Sequence, residues 1–215
     1  MSGNVADLRL IIITDERLAA PRAVRAVVEA ALEGGAPAIQ LRNKTATART
    51  LYDSALDLLP IVRAHGALLF INDRLDVALA ARTDGVHLGP GDMPVAAARS
   101  IAPRDFLIGF STDDPDTARA AERAGASYIG CGAVFGTTSK AEVGDERIGT
   151  ERLAQVAQSV RIPVIAIGGI HESNIHETAT AGARGAAVIG AVMKAEDPAA
   201  AVRALLARQS GIQTV

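Results

Sequence analysis

One phrase recurs along this chain: a helical stretch runs into glycine, and a short apolar run follows at once. It stands as ALEGGAPAIQLR, AERAGASYIGCG and TATAGARGAAVIG. Glycine just past a helix takes the left-handed conformation that closes it, so each phrase reads as helix, cap, strand. Helix starts are marked as well: Asp114 before Pro115 and Asp197 before Pro198 pair an N-cap carboxylate with a proline at the first helical position. Apolar strand-like runs number eight, at 8–14, 38–42, 67–72, 85–88, 106–110, 128–132, 163–168 and 186–190, and a helical segment follows each. In the first of these segments Val24, Val27, Val28, Ala31 and Leu32 fall at i, i+3, i+4, i+7 and i+8, a stripe suited to packing on a sheet. Such alternation allows an open doubly wound sheet or a closed barrel. Eight units in 215 residues fit the closed form, whose usual range is roughly 200 to over 400 residues. The expected architecture is α/β, a single (βα)8 TIM barrel domain over residues 1–215, with no linker or composition shift to divide it.

Composition narrows the partners. A net charge of −2 gives no general attraction to nucleic acid or to an anionic membrane, so concentrated positive charge must be local. The one cysteine, Cys131, cannot form an internal disulfide and fits a reducing compartment. The N-terminal MSGNVADLRL has neither the pattern of a signal peptide nor the length of a membrane span, and the protein is read as cytoplasmic. Small-molecule ligands are the expected partners, and association into a homo-oligomer is compatible with these numbers.

In a (βα)8 barrel the active site lies at the carboxyl ends of the strands. The second strand runs into Gln40, Leu41, Arg42, Asn43 and Lys44, where Gln40, Arg42 and Lys44 share a face if the strand continues. The third exit carries Asn72 and Asp73, the fourth Asp92, and the fifth Ser111. The sixth leads into Thr137, Thr138, Ser139 and Lys140. Gly168 and Gly169 stand at the seventh exit, and Ile189 and Gly190 at the eighth. Glycines after strands seven and eight let backbone N–H groups approach a phosphate, although they can also serve only to turn the chain. Asp73 and Asp92 on adjacent strand ends offer two hard oxygen ligands suited to Mg2+ held jointly with substrate phosphates. The competing readings make Asp73 a helix cap or a partner for Arg74, and Asp92 a cap before Pro94. Arg42, Lys44 and Lys140 around such an ion imply a substrate with more negative charge than one phosphate, such as a diphosphate. His65, His87, His171 and His176 are read as structural or solvated, and Tyr128 and Cys131 as packing residues. The long polar connection 133–149 carries Lys140 and has the length of a lid.

QLRNK, INDRLDVALAARTDGVHLGPGDMP, IGFST, VFGTTSK and IPVIAIGGI, in this order and spacing, resemble the thiamine phosphate synthase family. The resemblance runs from about residue 8 to residue 197, and the INDR to GPGD block is its most specific part. It implies a small (βα)8 barrel that joins hydroxymethylpyrimidine diphosphate to thiazole phosphate and releases pyrophosphate. It further implies that Gln40, Leu41, Arg42, Asn43, Lys44, Asn72, Ser111 and Lys140 hold the pyrimidine diphosphate. Asp73 and Asp92 would be the Mg2+ ligands, and Arg42, Lys44 and Lys140 would carry the catalysis. Thr137, Thr138, Ser139, Gly169, Ile189 and Gly190 would hold the thiazole phosphate. Departures from the family's pattern are Gly136 where a proline is usual, Gly190 where serine is frequent and Asp113 where histidine is frequent. Alternatives on the same scaffold are a thiazole tautomerase-like isomerase, which needs neither metal nor diphosphate grip, and a barrel that binds a phosphate ligand without turnover.

Overall fold

The computed structural model describes residues 8–136 and 147–210. Its strands are β1 (Leu10–Ile13), β2 (Ala38–Leu41), β3 (Leu68–Asn72), β4 (Gly85–Leu88), β5 (Leu107–Ser111), β6 (Tyr128–Cys131), β7 (Val164–Ile167) and β8 (Gly185–Val188). All pair in parallel with their neighbours in sequence, and β8 returns to β1 to close the ring. The sheet is therefore the closed barrel, and the open alternative is set aside. Around it lie α1 (Glu16–Ala19), α2 (Val24–Glu33), α3 (Ala48–Ala64), α4 (Leu75–Ala81) and α5 (Val95–Ile101), then α6 (Pro115–Arg123), α7 (Gly149–Ser159), α8 (Ile175–Thr180), α9 (Gly190–Met193) and α10 (Pro198–Ser210).

The local chemistry explains these boundaries. Val27, Val28, Ala31 and Leu32 are buried on α2, with Val24 partly so, which is the stripe read from the sequence. At its end Gly34 remains right-handed and Gly35 takes the turn, with φ of 89°. The corresponding residues after α6 and α8 are Gly125 at 97° and Gly182 at 90°. The Asp114 carboxylate accepts the N–H of Thr117 at 2.7 Å, and that of Asp197 accepts the N–H of Ala200 at 2.9 Å. The sequence does not separate α1 and α9, each four residues long, from the longer helices that follow them.

Side chains fill the barrel interior. Ile11, Ile13, Gln40, His87, Tyr128, Ile165 and Ile167 point inward, leaving an internal cavity of only about 10 Å3. Phe70 meets Tyr128 edge-on, with ring centroids 5.8 Å apart. Among the described residues no helix is long and apolar enough to cross a membrane.

The closing seam has no spare room. A Cβ on Gly185 would lie 2.0 Å from the Leu8 carbonyl oxygen and 2.8 Å from that of Arg9, which accepts the Ala186 N–H. Gly185→Ala should therefore lower unfolding stability by at least about 1–3 kcal/mol, as overpacking does. Urea denaturation checks this, and an unchanged midpoint would contradict it.

Candidate active site

Parallel closure places every strand exit on one rim. At the β2 exit the strand ends at Leu41, so Arg42 and Lys44 are held by other means than the ladder. The Thr14 Oγ1 hydroxyl donates to the Arg42 carbonyl oxygen at 3.2 Å and accepts the Arg42 N–H at 2.9 Å. The Arg42 guanidinium lies 3.6 Å from the Asp15 carboxylate, with both side chains nearly buried. Asp15 in turn accepts the N–H groups of Arg17 and Leu18 at the start of α1, so one carboxylate caps a helix and orients an arginine. The Gln40 side chain points into the barrel and makes no hydrogen bond to another described residue, which leaves its amide available to a ligand above it.

The acidic pair comes next. Asp73 follows β3 in the left-handed region, with φ of 65°, where residues other than glycine are uncommon. Two hydrogen bonds hold it there: its N–H donates to the His87 carbonyl oxygen at 2.8 Å, and the Arg74 N–H donates back to the Asn72 carbonyl oxygen at 2.8 Å. Its carboxylate lies 3.0 Å from the Lys44 ammonium. The competing readings of Asp73 have no support: α4 has no side-chain cap, and Arg74 pairs with Asp76 at 2.8 Å. Asp92 likewise does not cap α5, since its carboxylate turns back to accept the Gly89 N–H at 2.7 Å.

Burial pushes the Asp92 carboxyl above the usual carboxylate range, and the negative charge of Asp73 adds to the rise. The Gly89 hydrogen bond and the Lys44 charge work against it. The fold thus holds two carboxylates close together beside a cation, at a cost in repulsion that a divalent ion would relieve. Among the described residues no cluster of three or more acidic, histidine or cysteine side chains forms a ready-made metal cage. Two carboxylates on a half-open rim suit Mg2+, which keeps water and takes phosphate oxygens as its remaining ligands.

From Pro90 after β4 round to the β8 exit the rim borders a cavity of about 570 Å3, lined among others by Ser111, Gly130, Gly169, Ile189, Gly190 and Lys194. Gly168 and Gly169 both have positive φ, 102° and 65°. A Cβ at Gly168 would lie 2.5 Å from Ala133 Cα, and one at Gly169 would lie 2.6 Å from the Gly136 carbonyl oxygen. Only glycine fits this turn, which leaves backbone facing the cavity. Asn174 locks it: its amide donates to the Gly169 carbonyl oxygen at 3.0 Å and its oxygen accepts the His171 N–H at 2.8 Å.

The expected residues thus gather as two adjoining sets. Lys44, Asp73 and Asp92 lie together, while Ser111, Gly169, Ile189 and Gly190 share the cavity. Arg42 borders a smaller cleft of about 140 Å3 with Leu41 and Asn43. The Leu41 side chain is buried in the core. The Asn43 side chain accepts the N–H groups of Thr45 and Ala46 and donates to Glu16 at 3.1 Å, so it shapes its own loop. Any ligand contact from Leu41 must use the backbone. Asn72 ends β3 paired in register with His87. Thr137, Thr138, Ser139 and Lys140 lie outside the described residues, as does most of the 133–149 connection, whose stems are tied by the Ile148 N–H to the Ala133 carbonyl at 3.0 Å. Sequence reasoning missed Thr14, Asp15, Asn174 and Lys194. The first two stand at the β1 exit, where the pair TD after an apolar run was a readable sign.

A (βα)8 barrel with a polar rim is the class of protein defined by this geometry. Within that class the chain belongs to the thiamine monophosphate synthase family, whose model matches residues 10–192. It is 44% identical to the thiamine-phosphate synthase of Chloroflexus aurantiacus over 210 residues, covering 98% of this chain and 96% of that one. It is 47% identical to the thiamine-phosphate synthase of Pyrococcus horikoshii over 190 residues, covering 88% and 89%. Among solved structures, the thiamine phosphate pyrophosphorylase of Pyrococcus furiosus superposes with a TM-score of 0.87 at 43% identity, covering 96% of this chain and 98% of that one. A 3-hexulose-6-phosphate synthase at 21% identity and a TM-score of 0.69 shares the fold.

The raised Asp92 carboxyl yields a prediction with a definite sign. A carboxyl whose folded pKa is raised contributes stability at low pH that is lost as pH rises through that pKa. Asp92→Asn removes this loss and keeps a carbonyl for the Gly89 N–H. The metal-free variant should therefore be at least as stable as the parent near pH 7, yet lack the rise in Tm that Mg2+ with pyrophosphate is expected to give the parent. Thermal scans with and without both additives check this, and a retained rise would remove Asp92 from the metal site.

Proposed function

We propose that this chain is a Mg2+-dependent thiamine phosphate synthase, a transferase of thiamine biosynthesis that joins hydroxymethylpyrimidine diphosphate to thiazole phosphate. The observation that carries the reading is the cluster of Lys44, Asp73 and Asp92 beside the glycine-walled cavity, within a chain of this family. A diphosphate placed over Lys44 and Arg42 sets its leaving oxygens among cations, and the large cavity next to it has room for the second substrate.

In the reaction the bond from the pyrimidine methylene to the diphosphate oxygen breaks, and its electron pair leaves with pyrophosphate. The cation-like methylene then accepts the lone pair of the thiazole nitrogen. The chain's own part is to hold still the charges that meet this change. Gln40 beneath the rim orients the pyrimidine ring by its amide. Arg42, fixed by Asp15 and Thr14, and Lys44 stabilise negative charge growing on the leaving group. Asp73 and Asp92 would hold Mg2+, which when bound neutralises diphosphate charge. Lys140, with Thr137, Thr138 and Ser139, would join from the connection between β6 and α7. Gly169, Ile189 and Gly190 would receive the thiazole phosphate by backbone N–H groups. At Gly190 no hydroxyl is present to assist, and the backbone carries that contact alone. The setting is cytoplasmic, in keeping with a single buried thiol.

Incubating the protein with both substrates and Mg2+, with and without EDTA, tests this directly. Metal-dependent formation of thiamine phosphate and pyrophosphate in equal amounts is expected. Binding of thiazole phosphate without product, from intact substrates and folded protein, would instead indicate the isomerase or the plain binder. Lys44→Ala should lower kcat about a hundredfold or more, in the range found when a preorganised charge-stabilising donor is removed. Its half-exposed ion pair with Asp73 contributes at most about 1 kcal/mol of stability, so Tm should change little. Full kcat in this variant would remove Lys44 from the reaction.

A further inference from the structure

Beneath the rim, in an interior that is apolar apart from Gln40, three further polar side chains form a line. The Tyr128 hydroxyl lies 3.0 Å from His87 Nδ1, and His87 Nε2 lies 2.8 Å from Ser111 Oγ. Space has been cleared for them. A Cβ on Gly109 would lie 2.5 Å from the Tyr128 hydroxyl oxygen and 2.6 Å from His87 Nδ1, and one on Gly130 would lie 2.8 Å from His87 Cε1. Two inward glycines on neighbouring strands thus make a slot for one histidine.

We propose that Tyr128 and His87 are positioning residues that fix Ser111 as a hydrogen-bond donor to the bound substrate. The direction of the chain follows from its buried end. Tyr128 is 1% exposed, and burial pushes its phenol well above the usual range, so it keeps its proton. Among the described residues that proton has one hydrogen-bond partner, His87 Nδ1. The adjoining cavity of about 10 Å3 is at or below the roughly 10–15 Å3 that one water needs. Tyr128 therefore donates to Nδ1, the ring proton sits on Nε2, and Nε2–H donates to Ser111 Oγ. The Ser111 hydroxyl hydrogen is left for the cavity that Ser111 lines, where it meets an acceptor on the ligand. The reverse direction would strand the phenol proton among packed atoms, an expensive arrangement. The role assigned to Ser111 rests on the transferase reading, in which the acceptor is an oxygen of the departing diphosphate.

The experiment begins with the ligand-free protein labelled with 15N in its four histidines. Long-range proton–nitrogen correlation, with His87 assigned by its loss in His87→Asn, should show a bare Nδ1 and a protonated Nε2. A proton on Nδ1 would overturn the proposal. Tyr128→Phe then removes the donor that sets the tautomer. The His87 signals should shift toward a mixture, and kcat should fall about tenfold with KM for both substrates nearly unchanged. An unchanged kcat, with a shifted His87 spectrum, would also overturn it. Should the parent protein make no thiamine phosphate, the transferase reading fails by itself, and the nitrogen spectrum still decides the direction of the chain.

Discussion

Closure of the sheet is the constraint on which everything else in this protein rests. The seam pairs Leu10 with Ala186, Ile11 with Ala187 and Ile12 with Val188, and it exists because Gly185 lets β8 lie against the backbone at Leu8 and Arg9. A parallel sheet closed in this way has no free edge, and all of its carboxyl ends face one direction. Residues as far apart as Asp15, Lys44, Asp92 and Gly190 then occupy a single rim. An open sheet of the same strands would spread them along a line.

On that rim the fold accepts electrostatic and conformational cost. Asp73 sits in a backbone region that residues with side chains avoid, and Asp92 is held partly buried beside it with its carboxyl pushed upward. Neither side chain caps a helix, and all that they return to the fold is the half-exposed Asp73–Lys44 ion pair and the Asp92 hydrogen bond to the Gly89 N–H. Strain of this kind persists where surrounding structure enforces it, and it concentrates at functional positions. Arg42 shows the opposite case, being tied down by Asp15 and Thr14. Its planar guanidinium is already oriented, which would lower the entropy lost on meeting an anionic ligand.

The sequence exposes the periodic parts of this design and conceals the rest. The helix, glycine and strand phrase marks the entries to β2, β6 and β8, the apolar runs locate all eight strands, and the glycine turns at Gly35, Gly125 and Gly182 have the positive φ that the phrase implies. Strand-end reading puts Lys44, Asp73, Asp92 and Ser111 on one rim, where the closed barrel has them, since exits are easily located once strands are. Asp15 escapes notice because its role comes from a contact with Arg42, 27 residues away in sequence but adjacent across β1 and β2. His87 reads as a structural residue inside a strand, and only the three-dimensional arrangement shows it meeting Ser111 and Tyr128 at once. The spaces under Gly109 and Gly130 are equally invisible to pattern reading, because a glycine in a strand does not announce what fills the room it leaves.

The central claim is that the acidic pair and the cations of the rim form one composite site, completed only when metal and diphosphate are present together. Calorimetric titration of Mg2+ into the protein, first alone and then saturated with pyrophosphate, tests that claim most directly. The account predicts weak binding in the first titration and binding at least tenfold tighter in the second, with the same factor recovered when the order of addition is reversed. Equal Mg2+ affinity in the two titrations, with pyrophosphate bound, would contradict it.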